Sequence, residues 1–483
     1  MNRARALTTL GALDQVRAYD GARAGRRGAS FTAGATSANV EIGVALARLR
    51  DRSRDLARNT SAGSRILDVH VGHTIGTGIT AVPDTGVDRI DRILGELWAE
   101  WCERSDVEGI NSFGGQQAIA FRSMLEGGEG LIRRIPLRTS SGERVPLKLQ
   151  VLEGDFIDSA RDQGIFDGRS SRLGVGLGEW DRRTGYWLHA QHPGDFTFHG
   201  APYASQFVDF DDVIHLYKPQ RAGQVRGVPV FAPILMSARD LADVQDAIVV
   251  KQRVEACFAG FVTRKEEGAI SLNPDKDRKR IDQMRPGMVS YLEEGESITF
   301  GQPSGQGQFE PVWLTTMYSL AAGAGLTFDQ VTGDLRQANY SSLRAGKIEQ
   351  RRLTEQTQTL VLVPQMMRRV TGWFVEAAIM AGVLKDRRGG YRFDFVMPAV
   401  EPIDPRKDLE ADILAVRAGR MTPQEFIGSW GQDWRKVVAD TKAFFALIDD
   451  EKLVLDIDPR RVSQIGVAQQ DPAKQQASAP DAA

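Results

Sequence analysis

Apolar positions along this chain fall into helical periodicity, pass into short strand-like runs and return to helix. In Asp88 to Glu103, Ile90, Ile93, Leu94, Leu97, Trp98 and Trp101 recur three and four residues apart, which predicts a helix with one core-facing stripe. Residues 37–59 predict a helix under heavy Arg/Asp decoration, stopped by Asn59-Thr60-Ser61-Ala62-Gly63, and residues 111–126 predict another. Over residues 129–217 the pattern shortens to β segments broken by Gly and charged turns. Leu131 to Ile135, Leu147 to Leu152, Tyr186 to Ala190 and Val213 to Tyr217 are the predicted strands. The Gly174-Val-Gly-Leu-Gly178 run is expected to be loop rather than a phosphate-binding turn. Trp180, Asp181 and Arg182 lead from it into a further turn at Thr184-Gly185, where a helix would be needed.

The longest predicted helix is Val230 to Phe258, where Val230, Ile234, Leu241, Val244, Ile248, Val254 and Phe258 form a narrow apolar seam. At 1.5 Å per residue it would run ~40 Å. Its other face mixes Arg239, Asp240, Asp243, Asp246, Lys251, Arg253 and Glu255, so the seam must pack on neighbours in this chain or another. Residues 260–308 read as a compact insert with strands at Met288 to Leu292 and Ser297 to Phe300, a Pro286-Gly287 turn and a basic cluster of Lys276, Arg278, Lys279 and Arg280. Helix returns at Trp313 to Leu326, breaks at Thr332-Gly333-Asp334 and resumes from Ser342 into the 370s, with Pro364 expected to kink or interrupt it. Tyr391 to Met397 alternates as a strand, and residues 405–418 and 433–448 are amphipathic helices. The sum is an α+β, mainly helical chain without a repeat of solenoid length.

With 483 residues the chain exceeds one compact core, and 42% hydrophobic with 26% charged residues is ordinary for a soluble globular protein. Apolar runs such as Leu360 to Val363 and Ala377 to Leu384 fall far short of a membrane span, and Met-Asn-Arg-Ala-Arg opens no signal-peptide core. A soluble, non-secreted chain is expected. Cys102 and Cys257 stand far apart in apolar contexts and read as buried free thiols. The net charge of −2 argues against tight DNA binding, which draws on a positive excess, but does not exclude a channel through which DNA slides without strong binding. Residues 1–30 form a basic arm, with Arg3, Arg5, Arg17, Arg23, Arg26 and Arg27 against Asp14 and Asp20. Gln469 to Ala483 has the composition of a disordered tail.

Catalytic chemistry is sparse. Ala345-Gly346-Lys347 lacks the leading glycine of a nucleotide-binding loop, and no Gly-x-Ser-x-Gly elbow occurs. His70 and His73 share a helical face without a cysteine or carboxylate companion, and His189, His192, His199 and His215 are scattered over strands and turns. Asp209, Asp211 and Asp212 offer a divalent-metal alternative, a nucleic-acid-processing enzyme, although a solvated approach to the next strand explains them too. No catalytic residue, metal site or cofactor is assigned.

One stretch is more informative. Gly333-Asp-Leu-Arg-Gln-Ala-Asn-Tyr-Ser-Ser-Leu-Arg runs from a polar turn into a charged helix, and its Asn339-Tyr-Ser-Ser342 resembles the signature of the lambda-type portal proteins of tailed phages. Further pieces occur in the family's order: Tyr19-Asp-Gly-Ala22, Ser37-Ala-Asn39, Leu49-Arg-Asp-Arg-Ser-Arg-Asp-Leu-Ala-Arg-Asn59, Val71-Gly72, Gly76-Thr-Gly-Ile79, Gly128-Glu129, Asp155 and His192-Pro-Gly-Asp195. Val213-Ile-His-Leu216, Arg221-Ala-Gly-Gln-Val-Arg-Gly-Val-Pro229, Gly323 to Gly333, Asp404-Pro405 and Ala411-Asp412 complete it. Thr60 stands where a second Asn is expected, and Phe31 where Trp is common.

The resemblance implies a portal-type fold, a ring of twelve subunits around an axial DNA channel, with wing, stem, clip and crown regions. On this chain it implies a wing over 1–228, first stem helix over 229–258, clip over 259–308 and second stem helix over 309–328. A tunnel loop over 329–342, a long helix and wing return over 343–399, a crown over 400–460 and a tail over 461–483 follow. Arg336, Gln337, Asn339, Tyr340, Ser341, Ser342, Arg344 and Lys347 would touch DNA in the channel through sequence-independent phosphate contacts. Asn339 to Ser342 also suit a helix cap. Lys276, Arg278, Lys279 and Arg280 would meet partners at the clip. Implied partners are further copies of the chain, double-stranded DNA, the terminase large subunit, major capsid and scaffold proteins, and head-tail neck proteins. The implied location is the portal vertex of the virion, with assembly in the host cytoplasm. A monomeric head-completion adaptor is the remaining alternative.

Overall fold

The computed structural model describes residues 34–195, 204–256, 260–264, 296–300, 309–336, 339–453, 455, 457 and 458. Its main core gathers helices from both ends of the chain. Helix α1 (Ala38–Asn59) is followed after one residue by α2 (Ser61–Thr74), then β1 (Thr80–Pro83), α3 (Asp88–Glu103) and α4 (Phe113–Gly127). The α3 stripe turns Leu94, Leu97, Trp98 and Trp101 inward. Trp98 lies with its ring centroid 5.0 Å from those of both Trp101 and Phe374. Each such burial contributes roughly 1.5–3 kcal/mol. Ile93, the outlier of the predicted stripe, is exposed. The expected stop after Asn59 is a one-residue corner. Thr60 Oγ1 donates to Leu56 O (2.7 Å), closing α1, and accepts from Gly63 N (3.1 Å), opening α2. A short polar side chain is what an N-cap needs, so Thr fills a position at which Asn serves equally.

Beneath these helices lies a three-stranded antiparallel sheet in the order β3–β2–β9, from β2 (Gly130–Pro136), β3 (Leu147–Glu153) and β9 (Val213–Leu216). Alternation gives it two buried faces. Ile132, Leu147, Leu149, Ile214 and Leu216 join the helical core, while Leu131 and Val213 join a second core under a five-stranded sheet. That sheet is a meander of β4 (Gly164–Phe166), β5 (Arg169–Arg172), β6 (Val175–Leu177), β7 (Arg183–Leu188) and β8 (Gln206–Asp209). The glycine run expected as loop is therefore corrected. Val175–Leu177 is a strand, paired with β5 and β7, because Val175 and Leu177 are needed to fill the second core.

The long helix predicted from Val230 begins at α5 (Leu235–Ala256). Val230 N–H instead donates to Leu125 O, and Pro233 has no N–H, so residues 230–234 form a tight turn. Residues 257–259 lie outside the described chain. Strands β10 (Gly260–Arg264) and β11 (Glu296–Phe300) pair antiparallel, matching the predicted Ser297 to Phe300; the predicted strand Met288 to Leu292 lies outside the described residues. Helix α6 (Phe309–Ala324) returns against α5 and is followed by the short α7 (Phe328–Thr332).

Helix α8 (Tyr340–Thr357), a π-helical stretch (Gln358–Met367) and α9 (Arg368–Met380) are continuous. Pro364 sits in the π-helical stretch, where Arg368 N–H reaches back five residues to Val363 O. The interruption expected at Pro364 is thus a widened coil rather than a break, since a residue without N–H cannot keep the regular ladder. The Gln365 carboxamide bonds both backbone groups of Tyr217 at 3.1 Å, lengthening β9 by a residue with a side chain. Strand β12 (Phe393–Val396) pairs antiparallel with β1. Helices α10 (Pro405–Arg417), α11 (Pro423–Ser429) and α12 (Trp434–Asp450) follow. Within residues 405–450 only Ile448 is buried, and Leu414, Val438 and Leu447 are more than half exposed. Arg435 moors this region to Asp84 Oδ1 (2.7 Å) and Pro83 O (2.8 Å).

Candidate nucleic-acid interface and the buried charge cluster

The polar stretch singled out in the sequence starts after a turn at Gly325. Thr327 and Gln330 close a reciprocal cap over α7, Gln330 also bonds Gln350 of α8, and Arg65 Nε donates to Gln330 O (3.0 Å). Gly333 ends α7 at φ 70°, a conformation in which any side chain would be strained. Asp334 and Arg336 then form a bidentate pair, with Nε at 2.9 Å from Oδ1 and Nη2 at 2.7 Å from Oδ2. The Arg336 bond holds the Asp334 carboxyl down at about 2, below its ordinary value.

Asn339 and Ser342 are a capping box: Asn339 Oδ1 accepts from Ser342 N (2.8 Å), and Ser342 Oγ accepts from Asn339 N (3.2 Å). The cap foreseen for these residues is present; Ser341 beside them is exposed, and Tyr340 opens the helix. Arg344 Nη2 reaches Asp408 Oδ1 (3.4 Å), tying α8 to α10, and Lys347 is exposed one turn on. Gln337 lies outside the described residues, as do Lys276, Arg278, Lys279 and Arg280. Sequence reasoning overlooked Asp334 and Asp408, the partners of two of its candidates. The Asp-x-Arg spacing after a turn glycine was the available signal for the first; nothing local pointed to the second.

A second feature was not foreseen. The Glu129 carboxylate, wholly buried, accepts from Arg226 Nε (2.7 Å) and Nη2 (2.8 Å), Gly227 N (2.7 Å) and Arg50 Nη2 (3.0 Å), and His215 Nε2 stands 3.2 Å away. Arg226 spends its remaining donors on Ser159 Oγ, Leu173 O and Gly154 O. Arg50 also bonds Gly127 O and faces Asp155 at 3.3 Å. Burial alone would raise the Glu129 carboxyl, but Arg226 and His215 outweigh it and hold it well below the usual range. Burial pushes His215 down to about 4, and its Nδ1 takes a bond from Arg183 Nη1 (2.9 Å), so the ring is neutral. Backbone contact is as tight: a side chain on Gly227 would meet Gly128 O at 1.9 Å.

Of the aspartates offered as metal ligands, Asp212 has its carboxylate engaged otherwise, and Asp211 is held through its backbone carbonyl. Asp212 Oδ1 is paired with Arg134 Nε at 2.5 Å, and Asp211 O accepts from Trp373 Nε1. Among the described residues the one grouping with metal-ligand spacing is Glu153, Asp155 and His192, which excludes them. Arg54 already binds Glu153 (2.7 Å) and Asp155 there. His70, also weighed earlier, has an ordinary partner, its Nε2 lying 2.9 Å from Ala324 O, and His199 lies outside the described residues. Burial raises the Cys102 thiol far above its usual value, but the residue is partly rather than fully buried as expected, and Cys257 lies outside the described residues.

Against known proteins, the family described as phage portal protein, lambda family, matches residues 24–358. The chain belongs to the lambda family of phage portal proteins. The probable portal protein of Halomonas phage phiHAP-1 is 25% identical over 390 residues, spanning 75% of this chain and 73% of that protein. Portal protein B of Escherichia phage lambda is 20% identical over 444 residues, 80% and 81% of the two chains. Among solved structures, a chain from the neck of an empty gene transfer agent particle, computed with C6 symmetry, aligns at TM-score 0.45 and 16% identity, covering 81% of this chain and 93% of that one. A chain from the neck of the native particle, computed with C12 symmetry, aligns at TM-score 0.43 and 14% identity, covering 78% and 93%.

The function is a phage portal's, and the fold is the mainly helical α+β arrangement expected. The relatives bear the names of particle components rather than of enzymes. No helix among the described residues is long and apolar enough to cross a membrane. The portal motifs that were legible only as an ordered series meet in space. Asn39 bonds Val225 N and Gly223 O, and Arg50, Glu129, Asp155, His215 and Arg226 make one network. Together these stretches of the sequence form a buried clamp on the segment that leads into α5.

Proposed function

We propose that identical copies of this chain, twelve by the resemblance, close into a ring whose channel passes double-stranded DNA into a capsid and out again. The observation that carries this is the uncovered apolar surface of the α5–α6 pair. Beyond Leu241, α5 leaves Val244, Val249 and Val250 exposed, and α6 leaves Val312 and Tyr318 exposed. Single exposed apolar residues are ordinary, but at about 3.6 residues per turn these valines point to different sides of α5, so beyond Leu241 the helix is uncovered on more than one side and calls for packing against neighbours. A heterologous contact repeated by rotation closes a ring. In this reading residues 1–228 are wing, 229–258 and 309–328 the stem helices, and 259–308 the clip. Residues 329–342 are the tunnel loop, 343–399 the return to the wing, and 400–460 the crown.

The capped, hydrogen-bonding tip at Asn339 to Ser342, with Arg336, Arg344 and Lys347 beside it, touches phosphates without reading bases. Lys276, Arg278, Lys279 and Arg280 face the terminase large subunit during packaging and neck proteins afterwards. Major capsid and scaffold proteins surround the wing, at the virion's portal vertex after assembly in the host cytoplasm. The motive energy comes from the terminase, and this chain is a passive conduit without cofactor. Electron microscopy and mass photometry of the purified protein test the proposal. Annular particles with a central hole are expected; persistent monomers at high concentration, also in the presence of scaffold, would overturn it.

A further inference from the structure

The cations of the proposed tunnel segment are largely paired before any DNA arrives. Arg336 is held by Asp334 two residues away, and Arg344 faces Asp408 from another helix. Lys347 is exposed and has no carboxylate partner among the described residues. The Asp334–Arg336 pair is local and built into the turn. Gly333 turns the chain, Asp334 N donates to Thr332 Oγ1 (3.1 Å), and Arg336 N donates to Asp334 Oδ1 (3.0 Å), which sets the carboxylate before the guanidinium closes on it. The Arg336 side chain is 83% exposed, so a phosphate oxygen has open access to the same donors.

We propose that Asp334 is a tethered competitor for DNA phosphate at Arg336, which lets the segment touch the backbone of a duplex yet release it at each step. This rests on the reading that residues 329–342 meet DNA. The physical logic is exchange between two acceptors of similar strength. An exposed ion pair is weak, so phosphate displaces Asp334 readily, and Asp334 displaces phosphate as readily when the duplex advances. Asp334 stays ionised throughout: paired, its carboxyl is held near 2 by Arg336, and released it returns to an ordinary carboxylate value, far below neutral pH. A free arginine at the same place would neutralise one phosphate outright and release its counterions, which strengthens binding and makes it salt-dependent. The arrangement reconciles arginines in a channel segment with a chain of net charge −2.

The test uses assembled full-length protein and a short blunt-ended fluorescent duplex, with dissociation constants measured by anisotropy over a salt series. Wild type is compared with D334N, R336A, D334N/R336A and K347A. D334N is expected to tighten binding by about twofold to fivefold per engaged subunit. Its log–log salt slope is expected to steepen by about 0.9 for each phosphate newly neutralised. The double variant should return to the level of R336A. A D334N gain that survives in D334N/R336A would overturn the proposal, because it would not pass through Arg336. D334N matching wild type while K347A weakens binding would overturn the masking role and leave the DNA-facing reading standing. No shift in any variant would remove both.

Discussion

Glu129→Gln is the sharpest perturbation this structure offers. The substitution keeps the volume of the side chain and removes its charge. Gln can offer one carbonyl oxygen to Gly227 N and Arg226 Nε, but its amide hydrogens then face Arg226 Nη2 and Arg50 Nη2, setting donors against donors. Arg50 retains Asp155 at 3.3 Å; the fully buried Arg226 retains only neutral acceptors. Removing one partner of a buried pair and stranding the other costs about 3–5 kcal/mol. Set against a usual domain stability of about 5–15 kcal/mol, that is a large fraction. Urea unfolding of the full-length protein, at a fixed protomer concentration because assembly adds stability, should show the loss. E129Q/R226M should recover part of it, since apolar packing replaces a buried pair at little cost. Arg54→Ala, at the half-exposed edge beside Glu153, should cost less than about 1 kcal/mol. An E129Q protein within about 1 kcal/mol of wild type would refute the clamp, using the same threshold as for weak surface pairs. So would a double variant no more stable than E129Q.

Acid should loosen the same cluster. His215 has a folded value of about 4 against an ordinary 6.5, so the unfolded chain takes up a proton that the folded chain refuses. Stability is full above the unfolded value and is lost as pH falls from there toward the folded one, by up to about 3 kcal/mol; melts of wild type and His215→Gln across that window should differ in slope. Glu129, depressed well below its ordinary value, loses its own contribution progressively as pH falls from that ordinary value toward the lower one. Asn339→Ala should cost about 1 kcal/mol at the start of α8, read as faster hydrogen exchange from Tyr340 to Leu343, whereas Asn339→Asp should preserve the cap. Val250→Glu, on the exposed face of α5, should shift mass photometry from large assemblies to small species with an unchanged circular dichroism spectrum.

Local pattern was enough for elements whose own residues decide their conformation. The α3 helix spans the predicted Asp88–Glu103, because one strong apolar stripe admits no other phase. The break at Gly333 and the cap at Asn339 were equally local, set by a positive φ and by a side chain reaching its own helix. The ordered motifs sufficed to indicate the family. Tertiary contact decided the rest. Val175–Leu177 is a strand because neighbouring strands need its side chains for a core, and β1 finds its partner β12 from the far end of the chain. Pro364 is absorbed in a π-helical stretch by packing on both sides, with Val361, Leu362, Met366 and Met367 buried.

The charge cluster belongs to the same class. Arg50, Glu129, His215 and Arg226 are each unremarkable in their own stretch of sequence, and only the sheet and the corner after α4 bring them within 3.2 Å of one carboxylate. Periodicity reports which side of an element is buried; it carries no record of which distant element does the burying. The words of the chain were therefore written in its sequence, and their meeting at Glu129 was decided by the fold, because burying one charge requires opposite charges from elsewhere.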